Sequence, residues 1–278
     1  MVRIENQEAI LEVATKGAEI TSFKDKETNL ERCWQGDPTY WAGRNPILFP
    51  MVGNTKSKKQ IINGKEYAMG NHGIARSAEF ETVSVTEDTI TMMLQSSEET
   101  KCYYPFDFKL IVAYKLIGKK IQITYTIQND SSIDMPFSFG LHPAFKCPVE
   151  DGEKFEDYKL VFSNQETLQG ILGPFGLNNE SIIPCDYKLY EDNPTICFEY
   201  PKSSSVTLTN GKHGIKVDIV GYRWLAFWTK QNAPYVCIEP WHGHGDYCED
   251  EVPFEKREGT MILKSNHSYE TAYGIEIC

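Results

Sequence analysis

Three short segments of this chain set proton-transfer groups in patterned surroundings. In Tyr235-Val236-Cys237-Ile238-Glu239-Pro240-Trp241, an extended backbone puts Val236 and Ile238 on one face and Cys237 and Glu239 on the other. A carboxylate in an apolar strand is costly unless it is paired or opens onto a cavity. The bland alternative is an edge-strand Glu in water. Pro240 biases Glu239 toward extended geometry and is expected to end the ladder. Trp241 offers a flat face suited to the C–H side of a sugar ring. The second segment is Pro136-Phe137-Ser138-Phe139-Gly140-Leu141-His142-Pro143-Ala144-Phe145. As one strand it presents Phe137, Phe139 and Leu141 to a core. Ser138, Gly140 and His142 then form a small polar face with room for a ligand beside an imidazole. A histidine that closes a strand for structural reasons is the competing account. The third is Asn71-His72-Gly73-Ile74-Ala75-Arg76, where the glycine suggests a tight turn that projects the His72 ring.

Other clusters are weaker. His242-Gly243-His244-Gly245-Asp246 resembles a run of metal ligands, since residues two apart share a strand face, but its two glycines favour a loop. No metal site is expected there. Lys56-Ser57-Lys58-Lys59 reads as a solvated loop, or as a partner for a phosphate. No G-x-S-x-G elbow, P-loop or G-x-G-x-x-G occurs.

The elements that must position these groups read as strands. Alternating segments flank tight turns at Lys16-Gly17, Asn63-Gly64, Glu87-Asp88, Gly118-Lys119 and Asn210-Gly211, and Tyr269 to Ile277 reads as a closing strand. No long amphipathic helix is evident. Residues 146–200 are the least legible stretch and are expected to be loops with a few strands. Many closely spaced strands imply an all-β protein, a large antiparallel β-sandwich or barrel, and no linker divides the 278 residues. A single domain over 1–278 is therefore expected, and a chain of this length can bury a core without disulfides or metals. The net charge of −11 argues against nucleic acid and anionic membranes, which call for a basic footprint. With no export signal, the eight dispersed cysteines read as reduced thiols in a cytoplasmic protein.

Taken in order, Arg44-Asn45-Pro46-Ile47-Leu48-Phe49-Pro50, His72-Gly73-Ile74-Ala75-Arg76, Leu141-His142-Pro143 and Ile238-Glu239-Pro240-Trp241 resemble the aldose 1-epimerase family. Lys16-Gly17-Ala18-Glu19-Ile20 and Trp34-Gln35-Gly36-Asp37 fit as well, and the chain most resembles the branch associated with lactose-operon proteins. The resemblance spans nearly the whole chain. It implies a galactose mutarotase-like supersandwich with a sugar cleft. It also implies Glu239 as general base, His142 as general acid, and His72 and Arg44 as sugar-binding residues, with Arg76 in the same motif. Trp241 joins them as a candidate sugar contact. The implied reaction is interconversion of the anomers of a free hexose by ring opening and closure. It uses no cofactor, because two proton transfers suffice. Two rivals stand beside it: a hexose-6-phosphate 1-epimerase of the same fold, and a sugar-binding protein without turnover. A glycosidase needs a second carboxylate, for which the sequence offers no convincing candidate.

Overall fold

The computed structural model describes residues 1–173, 175–245 and 252–278. Its strands form two principal antiparallel sheets. The larger has nine strands in the spatial order Gly176–Pro184, Lys159–Gln169, Ser205–Thr209, Gly214–Asp218, Ser268–Ile277, Lys120–Asn129, Phe108–Ile117, Thr89–Gln95 and Glu81–Val85. The smaller joins Thr195–Glu199, Trp224–Trp228, Tyr235–His242, Phe139–Leu141 and Ile47–Leu48, and Ala144–Lys146 pairs with Tyr235–His242 as well. A three-stranded sheet, Val2–Glu5, Ala9–Val13 and Ile20–Asp25, covers the N-terminal side.

Alternation decides which face meets which. Phe108, Leu110, Val112, Tyr114 and Leu116 are buried along one strand, as are Ile121, Ile123, Tyr125 and Ile127 along its neighbour. Their intervening residues face outward. This inner face packs on Phe139, Leu141, Phe198, Phe227, Val236 and Ile238 of the smaller sheet within one core cluster. Tyr125 meets Phe139 at 5.0 Å between ring centroids, and Phe162 meets Phe227 at 5.8 Å. The cluster runs from Ile4 to Ile277, so residues from both ends of the chain share it.

The hairpins at the five turns form as expected. At Asn63-Gly64 both residues take positive φ, 49° and 76°, the pair of conformations a two-residue hairpin turn requires. Three expectations need correction. The segment from 135 to 146 is not one strand. Met135–Phe137 pairs with Met261–Leu263, and the chain then steps into the smaller sheet as Phe139–Leu141 and Ala144–Lys146, broken at His142-Pro143. The stretch 146–200 is not mainly loop, since it holds two of the longer strands, Lys159–Gln169 and Gly176–Pro184. A register shift between Val161 and Glu166 interrupts their pairing, and the polar run Ser163-Asn164-Gln165 hides the alternation. Pro240 does not end its ladder. The strand continues through Trp241 and His242, paired with Trp224 on one side and with Gly140 and Phe139 on the other. Ile238 N donates to Pro143 O. Two residues on, the Pro240 nitrogen faces that same side, beside the break at His142-Pro143, so its missing donor costs little.

Candidate active site

The Tyr235–His242 strand has no solvent face over most of its length. Val236 and Ile238 point into the core between the sheets. Tyr235, Cys237, Glu239 and Trp241 point to the opposite face. Register then assigns their neighbours, because paired antiparallel residues share a face. Ala226 lies opposite Glu239, Trp228 opposite Cys237, and Trp224 opposite Trp241. One strand further out, Cys197 pairs with Ala226 and Thr195 with Trp228. Small residues thus surround Glu239 and large aromatic ones flank it.

That face floors a cavity of about 320 Å³, lined by Trp41, Asn71, His72, Arg76, His142, Thr195, Trp228, Glu239 and Trp241. Glu239 is 1% exposed, and its carboxylate forms no well-aligned hydrogen bond among the described residues, its polar neighbours being His142 and the Trp241 indole N–H. Its Oε2 lies 3.3 Å from His142 Nε2. Burial pushes the Glu239 carboxyl well above its usual range, and the Trp241 indole N–H pulls the other way. Burial pushes His142 down, and His72 and Arg76 reinforce this, while a backbone contact within His142 itself opposes it. At a separation of 3.3 Å the two groups titrate as one unit. Each is pushed toward its neutral form by burial.

His142 sits where the strand breaks, and Pro143 O accepts from Ile238 N. On the expected small polar face, only His142 opens on the cavity. Ser138 Oγ accepts from Val52 N at 3.0 Å. The space over Gly140 is filled by protein, since a Cβ there would lie 2.7 Å from Trp241 Cδ1 and 2.9 Å from Val52 Cγ2. Gly140 therefore seats the Trp241 ring instead of leaving room for a ligand.

His72 is both a turn residue and a wall residue. Its φ is +64°, and its backbone N donates to Gly53 O at 2.7 Å. Gly53 N donates back to His72 Nδ1 at 3.0 Å. An Nδ1 that accepts leaves Nε2 to carry the proton, so the neutral ring is a donor there. Burial and the Arg76 charge lower its pKa to about 3, which keeps it neutral. Arg76 lines the cavity from the short Ala75–Ser77 turn.

Arg44 is absent from this wall. Its Nη2 donates to Gln35 O at 2.8 Å, its backbone N to Glu19 Oε1 at 3.2 Å, and its carbonyl accepts from Ala144 N. It ties the 35–44 loop to the base of the site. The sequence pattern did not single out Trp41, Trp228 or Thr195. Register alone identifies Trp228 and Thr195, once Trp224–Trp228 is placed beside Glu239. Trp41 arrives on a loop with no periodic signal.

Among the described residues, two sets of side chains bring metal-ligand atoms within 4.8 Å of one another: His142, Cys237 and Glu239, and Glu150, Glu153 and His213. The second set is already engaged. Lys212 contacts Glu150, and Asn210 and Tyr158 donate to Glu153. His242 and His244 belong to neither. His242 stacks on Tyr222 at 4.6 Å, and His244 Nε2 lies 3.4 Å from Glu258. Asp246 lies outside the described residues. The 56–59 lysine run precedes a surface hairpin, with Lys59 paired to Glu66, and does not line the cavity.

The arrangement is suited to moving protons between a ligand and a buried carboxylate–imidazole pair, with aromatic faces to hold an apolar surface. The profile of the aldose 1-epimerase family matches residues 1–276. The plasmid-borne LacX protein of Lactococcus lactis subsp. lactis is 33% identical over 299 aligned residues, covering 99% of each chain. A galactose mutarotase related enzyme from Lactobacillus acidophilus is 29% identical with a TM-score of 0.93, over 100% of this chain and 97% of its own. A galactose mutarotase-like protein from Lactobacillus casei is 27% identical with a TM-score of 0.92, over 100% of both chains. A family match across almost every residue, the relation to LacX and the shared fold lead to one assignment: this chain belongs to the aldose 1-epimerase family.

Proposed function

We propose that the protein is a cofactor-independent aldose 1-epimerase acting on a free hexose, with Glu239 as base and His142 as acid. The observation that carries this is a carboxylate 1% exposed, 3.3 Å from an imidazole at the floor of a cavity. A buried carboxylate without a well-aligned hydrogen bond is expensive, and a sugar hydroxyl supplies a further donor. The cavity, about 320 Å³, falls at the small end of ligand sites, which span roughly 300–1,000 Å³. That size suits a monosaccharide.

Glu239 takes the proton of the anomeric hydroxyl. The C1–O5 bond breaks as C1=O1 forms, and His142 delivers a proton to O5. The open aldehyde turns about C1–C2, and the steps reverse on its other face. Ring opening leaves both protein groups neutral. Burial favours the neutral form of each, so the cavity stabilises the open-chain intermediate. His72 Nε2–H is a donor for a sugar oxygen, Arg76 adds positive charge, and Trp241 gives a flat wall. Arg44 acts through the loop it anchors.

Arg76 is also the observation that keeps a phosphorylated substrate in view, since it is the cation on the cavity wall among the described residues. We read residues 1–278 as one domain, supported by a core that runs from Ile4 to Ile277. The free thiols of the described cysteines fit a reducing compartment such as the cytoplasm. The decisive assay follows the optical rotation of fresh α-galactose, α-glucose and α-glucose 6-phosphate. A faster approach to the same final rotation supports the proposal, and the best substrate names the branch. Binding without acceleration by any of the three makes the protein a sugar binder.

A further inference from the structure

Trp41 has so far been only part of a wall, yet its closest aromatic partner is His142. The ring centroids lie 4.9 Å apart with planes at 33°, so the indole leans over the imidazole. Trp228 meets the same imidazole at 5.5 Å and 72°, and His72 meets it at 5.6 Å and 85°. Trp41 is itself braced. Trp228 abuts it at 5.2 Å, its backbone N donates to Asp37 O at 2.8 Å, and Trp34 Nε1 donates to its carbonyl at 2.8 Å. The ring folds back on its own loop over Gly43. A Cβ at position 43 would lie 2.5 Å from Trp41 Cζ2 and 2.7 Å from Cε2, so only glycine admits this pose.

The charges that face His142 come from several elements. Glu239 and Cys237 belong to the strand beneath it, His72 to the turn opposite, and Arg76 to the short helix that follows. Of these, the ionised Glu239 is what favours an imidazolium. During ring opening Glu239 becomes neutral as it takes the sugar proton, and until His142 has given its own proton to O5 the cation is without that support. An indole face does not titrate, and it attracts a cation set over it.

We infer that Trp41 is a positioning residue for the reaction: its indole, seated on Gly43, orients the His142 ring and stabilises its protonated form. The kinetic part rests on the mutarotase proposal, whereas the effect on His142 does not. Removing the aromatic face destabilises the imidazolium. The doubly protonated Glu239–His142 pair contains that cation and the doubly deprotonated pair does not. The sum of the two titration midpoints must then fall, whichever group holds the single proton.

The test compares Trp41→Leu, Trp41→Phe and Gly43→Ala in the full chain. One readout is the pH profile of kcat. The other is the titration of the His142 ring by NMR without sugar, with the signal assigned by its loss in His142→Asn. In Trp41→Leu the summed midpoints should drop by roughly 0.5–1.5 pH units, and kcat should fall about 2–10-fold at its optimum. Trp41→Phe should recover most of both. Gly43→Ala, which keeps the indole but dislodges it, should resemble Trp41→Leu and serves in its place if that variant does not fold. A folded Trp41→Leu or Gly43→Ala whose His142 titration superimposes on the parent overturns the inference. If the wild type turns over no sugar while the NMR shift appears, the mutarotase proposal fails and the inference about His142 stands.

Discussion

In the proposed reaction Glu239 and His142 need opposite charges at the start, and burial works against both charges. On that proposal, the free energy that holds back the ionised pair is released as the sugar ring opens. Replacing Glu239 with Gln keeps the shape and removes the base, so turnover should fall by about 10²–10⁴-fold. Calorimetry should still detect sugar binding. Full activity in polarimetry would exclude Glu239 as the base. His72 carries a separate prediction. Its folded pKa of about 3 lies below the ordinary histidine value near 6.5. Between those values the unfolded chain binds the extra proton, so stability is full above about 6.5 and declines as pH falls toward 3. His72→Asn accepts the positive φ and offers Gly53 N an oxygen, but does not titrate. Its melting temperature should fall less steeply than the parent's between pH 6.5 and 4. The same variant should raise KM and lower kcat, because it loses the Nε2–H donor. Parallel melting curves would show that His72 protonates freely in the folded protein.

The Tyr235–His242 strand divides two kinds of environment with a single backbone. Ile238→Ala empties core space between the sheets and should cost about 2–5 kcal/mol by chemical denaturation. Its side chain faces away from Glu239, so kcat per folded molecule should change little. Gly140→Ala acts on the other face. The added Cβ must displace the Trp241 ring or Val52, so KM should rise and stability drop by about 1–3 kcal/mol. An unchanged KM would mean that Trp241 does not contact the sugar. At this scale the alternation in 235–241 already separated Val236 and Ile238 from Cys237 and Glu239, and hairpin chemistry at Asn63-Gly64 was equally plain. The corner at His142-Pro143 was hidden, because residues on both sides alternate as one strand would. The Lys159–Gln169 strand was hidden because a register shift and polar residues mask its period. Thr195 and Trp228 join Glu239 only through pairing across strands distant in sequence, which no local pattern encodes.

Across the whole molecule, one hydrophobic cluster takes residues from both ends of the chain and from both principal sheets. Thermal unfolding should therefore be a single transition, with calorimetric and van't Hoff enthalpies equal. Two resolved transitions would contradict the single-domain proposal. The pairing of Ser268–Ile277 with Lys120–Asn129 and Gly214–Asp218 ties the C-terminal strand into the middle of the larger sheet. Cutting that strand away should abolish folding, since it exposes a long unpaired edge on each side. The distribution of indoles has a practical consequence. All five tryptophans of the chain gather around the cavity: Trp41, Trp228 and Trp241 on its wall, Trp34 packed with Trp41, and Trp224 packed with Trp241. Intrinsic ultraviolet emission from this protein is thus a signal from one place, and a sugar entering that place can be followed by fluorescence without any attached dye.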